Sequence, residues 1–141
     1  MKSKLLGMLA AAAGLLFLCV PLPAHHSFAA EFDSKKPVEL KGTVTLLDWV
    51  NPHAWIYMEV KEEDGSVTKW SCELGSPNIL MRSGWKRDSL KPGDAIVVNG
   101  NRAKDGSHLA NARTVKMADG RRVFNAGSSG DPGTAGAPSQ Q

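Results

Sequence analysis

The sequence predicts an all-β protein: a small five-stranded Greek-key barrel of the OB type, with one short helix between strands 3 and 4. Apolar and polar residues alternate with the period of two that half-buried strands show, most clearly over residues 38–45. Turn signals separate five such segments, and the helix signal falls between the third and the fourth. A small β-sandwich is the alternative that the same pattern permits.

The first strand is expected over about residues 38–50. Gly42 interrupts its alternation at a point where a barrel strand would bend. The alternation then changes phase at Leu46-Leu47, which predicts a β-bulge, because one extra residue moves the following side chains to the other face.

The stretch from Trp49 to Tyr57 forms the corner between the first two strands. Proline fixes φ and moves the preceding residue out of the helical region, so Asn51-Pro52 predicts a turn. After this corner, Trp55 and Tyr57 are expected on the outward face of strand 2. The inward face is expected to carry Ala54, Ile56, Met58 and Val60.

The remaining elements follow from local signals. Asp64-Gly65 favours a hairpin turn, and Ser76-Pro77 is typical of a helix start, because serine caps a helix and proline suits its first position. Trp70, Cys72 and Leu74 are expected to face inward from strand 3. The predicted ranges are 67–74 for strand 3, 77–83 for the helix, 95–103 for strand 4, 109–117 for strand 5 and 121–124 for a short closing extension.

The chain divides into four segments. Residues 1–24 are typical of a secretory signal peptide, with basic residues, an apolar run from Leu5 to Val20 and a small residue before the cut. Residues 25–37 are expected to be an extended arm, and residues 38–124 the OB-like domain. Residues 125–141 are rich in Gly, Ser, Pro and Ala, which predicts disorder.

The net charge and the cysteine content limit the functional classes that we expect for this protein. Cleavage removes Lys2 and Lys4 from a chain with 17 Lys and Arg against 14 Asp and Glu, so the mature protein is nearly neutral. We therefore expect no nucleic-acid partner. Cys19 leaves with the signal peptide, and Cys72 is expected to be a small buried hydrophobe without a disulfide. No membrane span is expected after cleavage.

Six motifs occur together in an order that resembles an uncharacterised family of small exported proteins of Gram-negative bacteria, a domain of unknown function. The resemblance covers most of the mature chain before the tail. It implies a periplasmic location and an OB-like fold, and it brings no activity. The motifs are Ala24–Phe28, Lys41–Val44, Asn51–Trp55, Glu73–Asn78, Trp85 and Leu90–Asp94.

The histidines suggest a copper site. With cleavage after Ala24, His25 would offer its amine and a ring nitrogen to the same ion, and His26 or His53 would supply a third nitrogen donor. This resembles the histidine brace of periplasmic copper proteins. The alternative is a solvated His-His terminus, with His53 capping a turn.

Asn51, His53, Trp55 and Tyr57 form the predicted ligand or partner site, because aromatic side chains on an outward strand face can stack a ligand or dock a protein. The alternative is that Trp55 and Tyr57 pack beneath the N-terminal arm. The leading hypothesis is a non-catalytic periplasmic binding module that holds Cu(II). The second is an accessory subunit of an exported partner, which would be a periplasmic protein. An enzyme is third, since no catalytic triad order, nucleotide loop or paired cysteine motif is present.

Overall fold

A computed structural model describes residues 28–120 and 123–127. These residues form one mainly antiparallel sheet of six strands and two short helices. The mostly β composition and the short helix after the third strand are as predicted. The elements are α1 (Phe28–Glu31), β1 (Phe32–Asp48), β2 (Trp55–Lys61), β3 (Val67–Glu73), α2 (Pro77–Arg82), β4 (Ala95–Ala103), β5 (Leu109–Met117) and β6 (Val123–Asn125).

The strands lie in the order β3-β2-β1-β4-β5-β6, and β3 also pairs with β5. That last pairing is parallel and joins residues 71–73 to residues 109–111, whereas the others are antiparallel. The start of β5 is therefore bonded to strands on both sides.

The first strand is longer than its sequence pattern suggested. It begins at Phe32, which pairs with Ala103, so part of the expected extended arm belongs to the sheet, and α1 precedes it. The predicted bulge is confirmed by a register shift between Val44 and Leu46. At Gly42 the two strands approach so closely that a Cβ atom would overlap the Glu59 carbonyl oxygen.

The core contains the residues that the alternation placed inward. Ile56, Met58 and Val60 of β2 are buried, as is Ala54 just before it, whereas Trp55 and Tyr57 on the other face of β2 are half-buried. Trp70, Cys72 and Leu74 are also buried, as predicted. Burial stabilises the protonated Cys72 thiol and raises its pKa to about 12.

The helix α2 begins as its sequence indicated. The Ser76 side chain accepts a hydrogen bond from the Ile79 amide at 3.4 Å, and Pro77 takes the first turn. Gly84, with φ of +85°, reverses the chain just after the helix, and Trp85 packs back into the core.

The prediction of five strands was wrong by one, because β6 is a sixth. Trp85 contacts the C-terminal end of β6. Its indole Nε1 donates to the Asn125 carbonyl oxygen at 2.9 Å, and the Trp85 ring centre lies 4.5 Å from the Phe124 ring centre. Ala126 is buried, and its carbonyl accepts a hydrogen bond from the Gly75 amide at 2.8 Å. Packing therefore continues beyond Phe124, where we expected the domain to end.

Three predictions fall outside the described residues: the signal peptide at 1–24, the histidines His25 and His26, and most of the tail, residues 128–141. Within the described ranges, no helix has the length and apolar character that crossing a membrane requires.

Candidate functional site

An open groove of about 460 Å³ crosses β1, β2 and β3. It starts at the bulge of β1, where Leu46 is 49% exposed. The groove is lined by Thr45, Leu46, Tyr57, Met58, Glu59, Lys69, Trp70 and Ser71.

The strand register arranges the groove in two rows. Leu46 pairs with Tyr57, and Tyr57 pairs with Ser71, so an aliphatic, an aromatic and a hydroxyl side chain stand side by side. In the next row, Glu59 stands opposite Lys69. The groove thus offers apolar surface and hydroxyl groups beside one charge of each sign.

A second feature lies at the corner between β1 and β2. His53 Nδ1 is in direct contact with the Glu73 Oε1 atom. The Glu73 side chain is only 10% exposed, whereas that of His53 is 33% exposed. A carboxylate that accepts the Nδ1 proton fixes the imidazole tautomer and leaves Nε2 as the nitrogen that could bind a metal.

The sequence pattern of a family of unknown function, DUF6152, matches residues 13–112. The chain belongs to the DUF6152 family. This agrees with the resemblance to an uncharacterised family. No curated protein and no solved structure matches the chain. The matched segment of this DUF6152 member includes every residue of the groove and the His53–Glu73 pair, and it ends within β5.

The structure divides the predicted ligand site of this DUF6152 member. Tyr57 lines the groove, but His53 and Trp55 lie together at the corner, where Trp55 pairs with Glu73 across the strands. Asn51 is exposed and precedes a cis proline. The four residues therefore belong to two neighbouring features, a groove and a corner.

The predicted metal ligands are only partly placed. His53 has its carboxylate neighbour, while His25 and His26 lie outside the described residues. Among residues 28–120 and 123–127, no three His, Cys, Asp or Glu side chains are grouped so that they could hold a metal ion.

Sequence reasoning missed most of the groove. Glu59, Lys69 and Ser71 look like ordinary polar residues on half-buried strands, and only the register shows that they adjoin Tyr57. The alternation grouped Leu46 with inward residues such as Val44 and put the phase change after it, whereas the register shift lies before Leu46 and turns this leucine outward. Glu73 gave no sign of pairing with His53.

Proposed function

We propose that this DUF6152 member is a non-catalytic periplasmic binding module that takes its ligand in the groove across β1, β2 and β3. The groove itself carries the proposal: its volume of about 460 Å³ is within the range of small-molecule sites, and apolar and polar groups converge in it. Leu46 and Tyr57 would hold an apolar or aromatic group, and the row of Glu59 and Lys69 would orient its polar part.

The order of pairing supports a closed OB-like barrel as the scaffold. Pairings β1–β2, β2–β3, β3–β5, β5–β4 and β4–β1 return to the first strand, with β6 as an addition. In OB barrels the face around strands 2 and 3 binds ligands. The groove occupies the corresponding face, and this correspondence is an argument by analogy of fold.

Export to the periplasm rests on the sequence of residues 1–24, which has the parts of a signal peptide. A periplasmic module of this kind would meet either a small ligand or an exported protein that inserts a side chain into the groove. In the second case it would act as an accessory subunit of that protein.

The groove is tested by NMR titration of the ¹⁵N-labelled protein with indole, a neutral aromatic probe. We expect saturable shifts at the amides of Leu46, Tyr57 and Ser71. Tyr57→Ala should weaken indole binding by about tenfold, since one aromatic contact contributes about 0.5–1.5 kcal/mol beyond buried area.

Leu46→Ser should weaken indole binding too. Met81→Ser is its matched control, because Met81 is a similarly exposed apolar residue, at 54%, on α2 outside the groove. Equal effects of the two substitutions, or shifts centred on α2, would contradict the proposed site.

Copper binding remains a second candidate function, favoured by the His53–Glu73 pair. Glu73 would hold the His53 ring with Nε2 available, as carboxylates do for metal-ligating histidines. His25 would supply its amine and ring nitrogen, and His26 is the alternative source of the third nitrogen. Cu(II) titration followed by electron paramagnetic resonance tests this: His53→Ala should remove one nitrogen from the spectrum, and the control His108→Ala should not.

A further inference from the structure

A cationic aromatic cluster lies where β3, β4 and the β4–β5 hairpin meet. The Arg102 guanidinium carbon is 5.1 Å from the centre of the Trp70 ring, and the His108 ring centre is also 5.1 Å from that ring. Trp70 is 5% exposed, whereas His108 is at the surface. The cluster therefore reaches from the core to the solvent.

Two donors in this cluster have no partner among the described residues. Trp70 Nε1 and Arg102 Nε are both buried and without a hydrogen bond. Both atoms can only donate, and buried polar groups in proteins are normally bonded to protein, water or ligand. Neither donor atom has an acceptor within residues 28–120 and 123–127.

The positive charge of Arg102 has no carboxylate partner among the described residues. A guanidinium is always protonated, and Arg102 forms no ion pair with any carboxylate in the described ranges; its Nη2 donates only to the Gly106 carbonyl oxygen at 3.3 Å. Asp105 is in the same hairpin, but its Oδ1 accepts from the Ser107 amide at 2.9 Å. Hydrogen bonds from the Ser107 side chain and then from its amide lower the Asp105 pKa and help to hold the turn.

We propose that Trp70, Arg102 and His108 form a binding site for a small oxyanion, a carboxylate or phosphate group. Oxygen atoms of such a group would accept from Arg102 Nε and Trp70 Nε1, and His108 would border the entrance. A planar guanidinium edge suits carboxylate and phosphate oxygens. The oxyanion site and the groove share Trp70, which lines the groove, whereas Arg102 and His108 do not line it.

The indole N–H signals test the proposal directly. In ¹H–¹⁵N spectra at constant ionic strength in chloride, acetate and inorganic phosphate are titrated separately. At least one should move the Trp70 indole signal downfield with saturation, because its N–H gains an acceptor. The Trp85 indole is an internal control: its N–H already donates to Asn125, so its signal should stay fixed. Trp70→Phe assigns the signal.

Two substitutions complete the test. Arg102→Gln should weaken binding of the active oxyanion by at least tenfold, about 1.4 kcal/mol, while Arg87→Gln, a surface control, should leave it within twofold. Saturation by acetate but not phosphate would identify a carboxylate site, and the reverse a phosphate site. An unmoved Trp70 signal with both anions, or an equal effect of the two arginine substitutions, would overturn the proposal.

Discussion

Trp70→Phe and Trp85→Phe remove the same atoms from two buried indoles, and the structure predicts that they lower the free energy of unfolding by different amounts. Both tryptophans are almost fully buried, at 5% and 2% exposed. The lost ring volume should cost each variant about 1–3 kcal/mol, less than the 3–5 kcal/mol of a Trp→Ala change. The difference in stability between the two variants then depends on the hydrogen bonds of the two indoles.

Trp85 Nε1 donates to the Asn125 carbonyl oxygen, whereas Trp70 Nε1 has no partner among the described residues. Losing the first bond should add about 1 kcal/mol, and removing the unpaired Trp70 N–H should add nothing. Trp85→Phe should therefore be the less stable variant by about 1 kcal/mol, or about 4–8 °C in Tm for a domain of this size.

Urea unfolding followed by circular dichroism, in chloride buffer without oxyanions, measures both free energies of unfolding. A matched slope against urea concentration would show that the comparison is between similar unfolded states. Equal stability of the two variants, or a less stable Trp70→Phe, would refute the claim that Trp85 holds β6 through Asn125.

Three further predictions follow from particular contacts. Gly42→Ala should lower the free energy of unfolding by more than about 1 kcal/mol, because the new methyl group would overlap the Glu59 carbonyl oxygen; thermal melts measure this. Cys72 should react slowly with thiol reagents at neutral pH. The pKa of the Cys72 thiol is about 12 in the folded state and 9.0 ordinarily, so the unfolded state loses the proton first. The free energy of unfolding should therefore fall as pH rises from about 9 towards 12. In unfolding measured against pH, Cys72→Ala should flatten this decline. Finally, adding a glycine before His25 should abolish the proposed copper site by moving the terminal amine away, and calorimetry showing equal Cu(II) affinity for both forms would rule that site out.

The alternation of apolar and polar residues predicted much of the sheet because burial on one face of a strand imposes a period of two. It located β4 and β5, the buried face of β2 and the bulge near Leu46. It did not predict the early start of β1, because residues 33–37 are polar or proline; Phe32 and Pro37 pair with β4, and the register shifts between them.

Contacts distant in sequence explain the other misses. The strand β6 has three residues and too little pattern of its own; its pairing with β5 and the bond from Trp85, forty residues away, define it. Glu73 meets His53 only after β2 and β3 pair. Tyr57 was predicted from its own strand, but its neighbours in the groove required the register of three strands.

We propose that a ligand binds in the groove across β1, β2 and β3. Isotope-filtered nuclear Overhauser measurements between unlabelled indole and the ¹³C-labelled protein test it most directly, because they report contacts shorter than those inferred from amide shifts. We expect contacts from the indole protons to the Leu46 methyl groups and the Tyr57 ring, with none to Met81. Contacts to α2 in place of the groove, or no contacts at saturating indole, would contradict it.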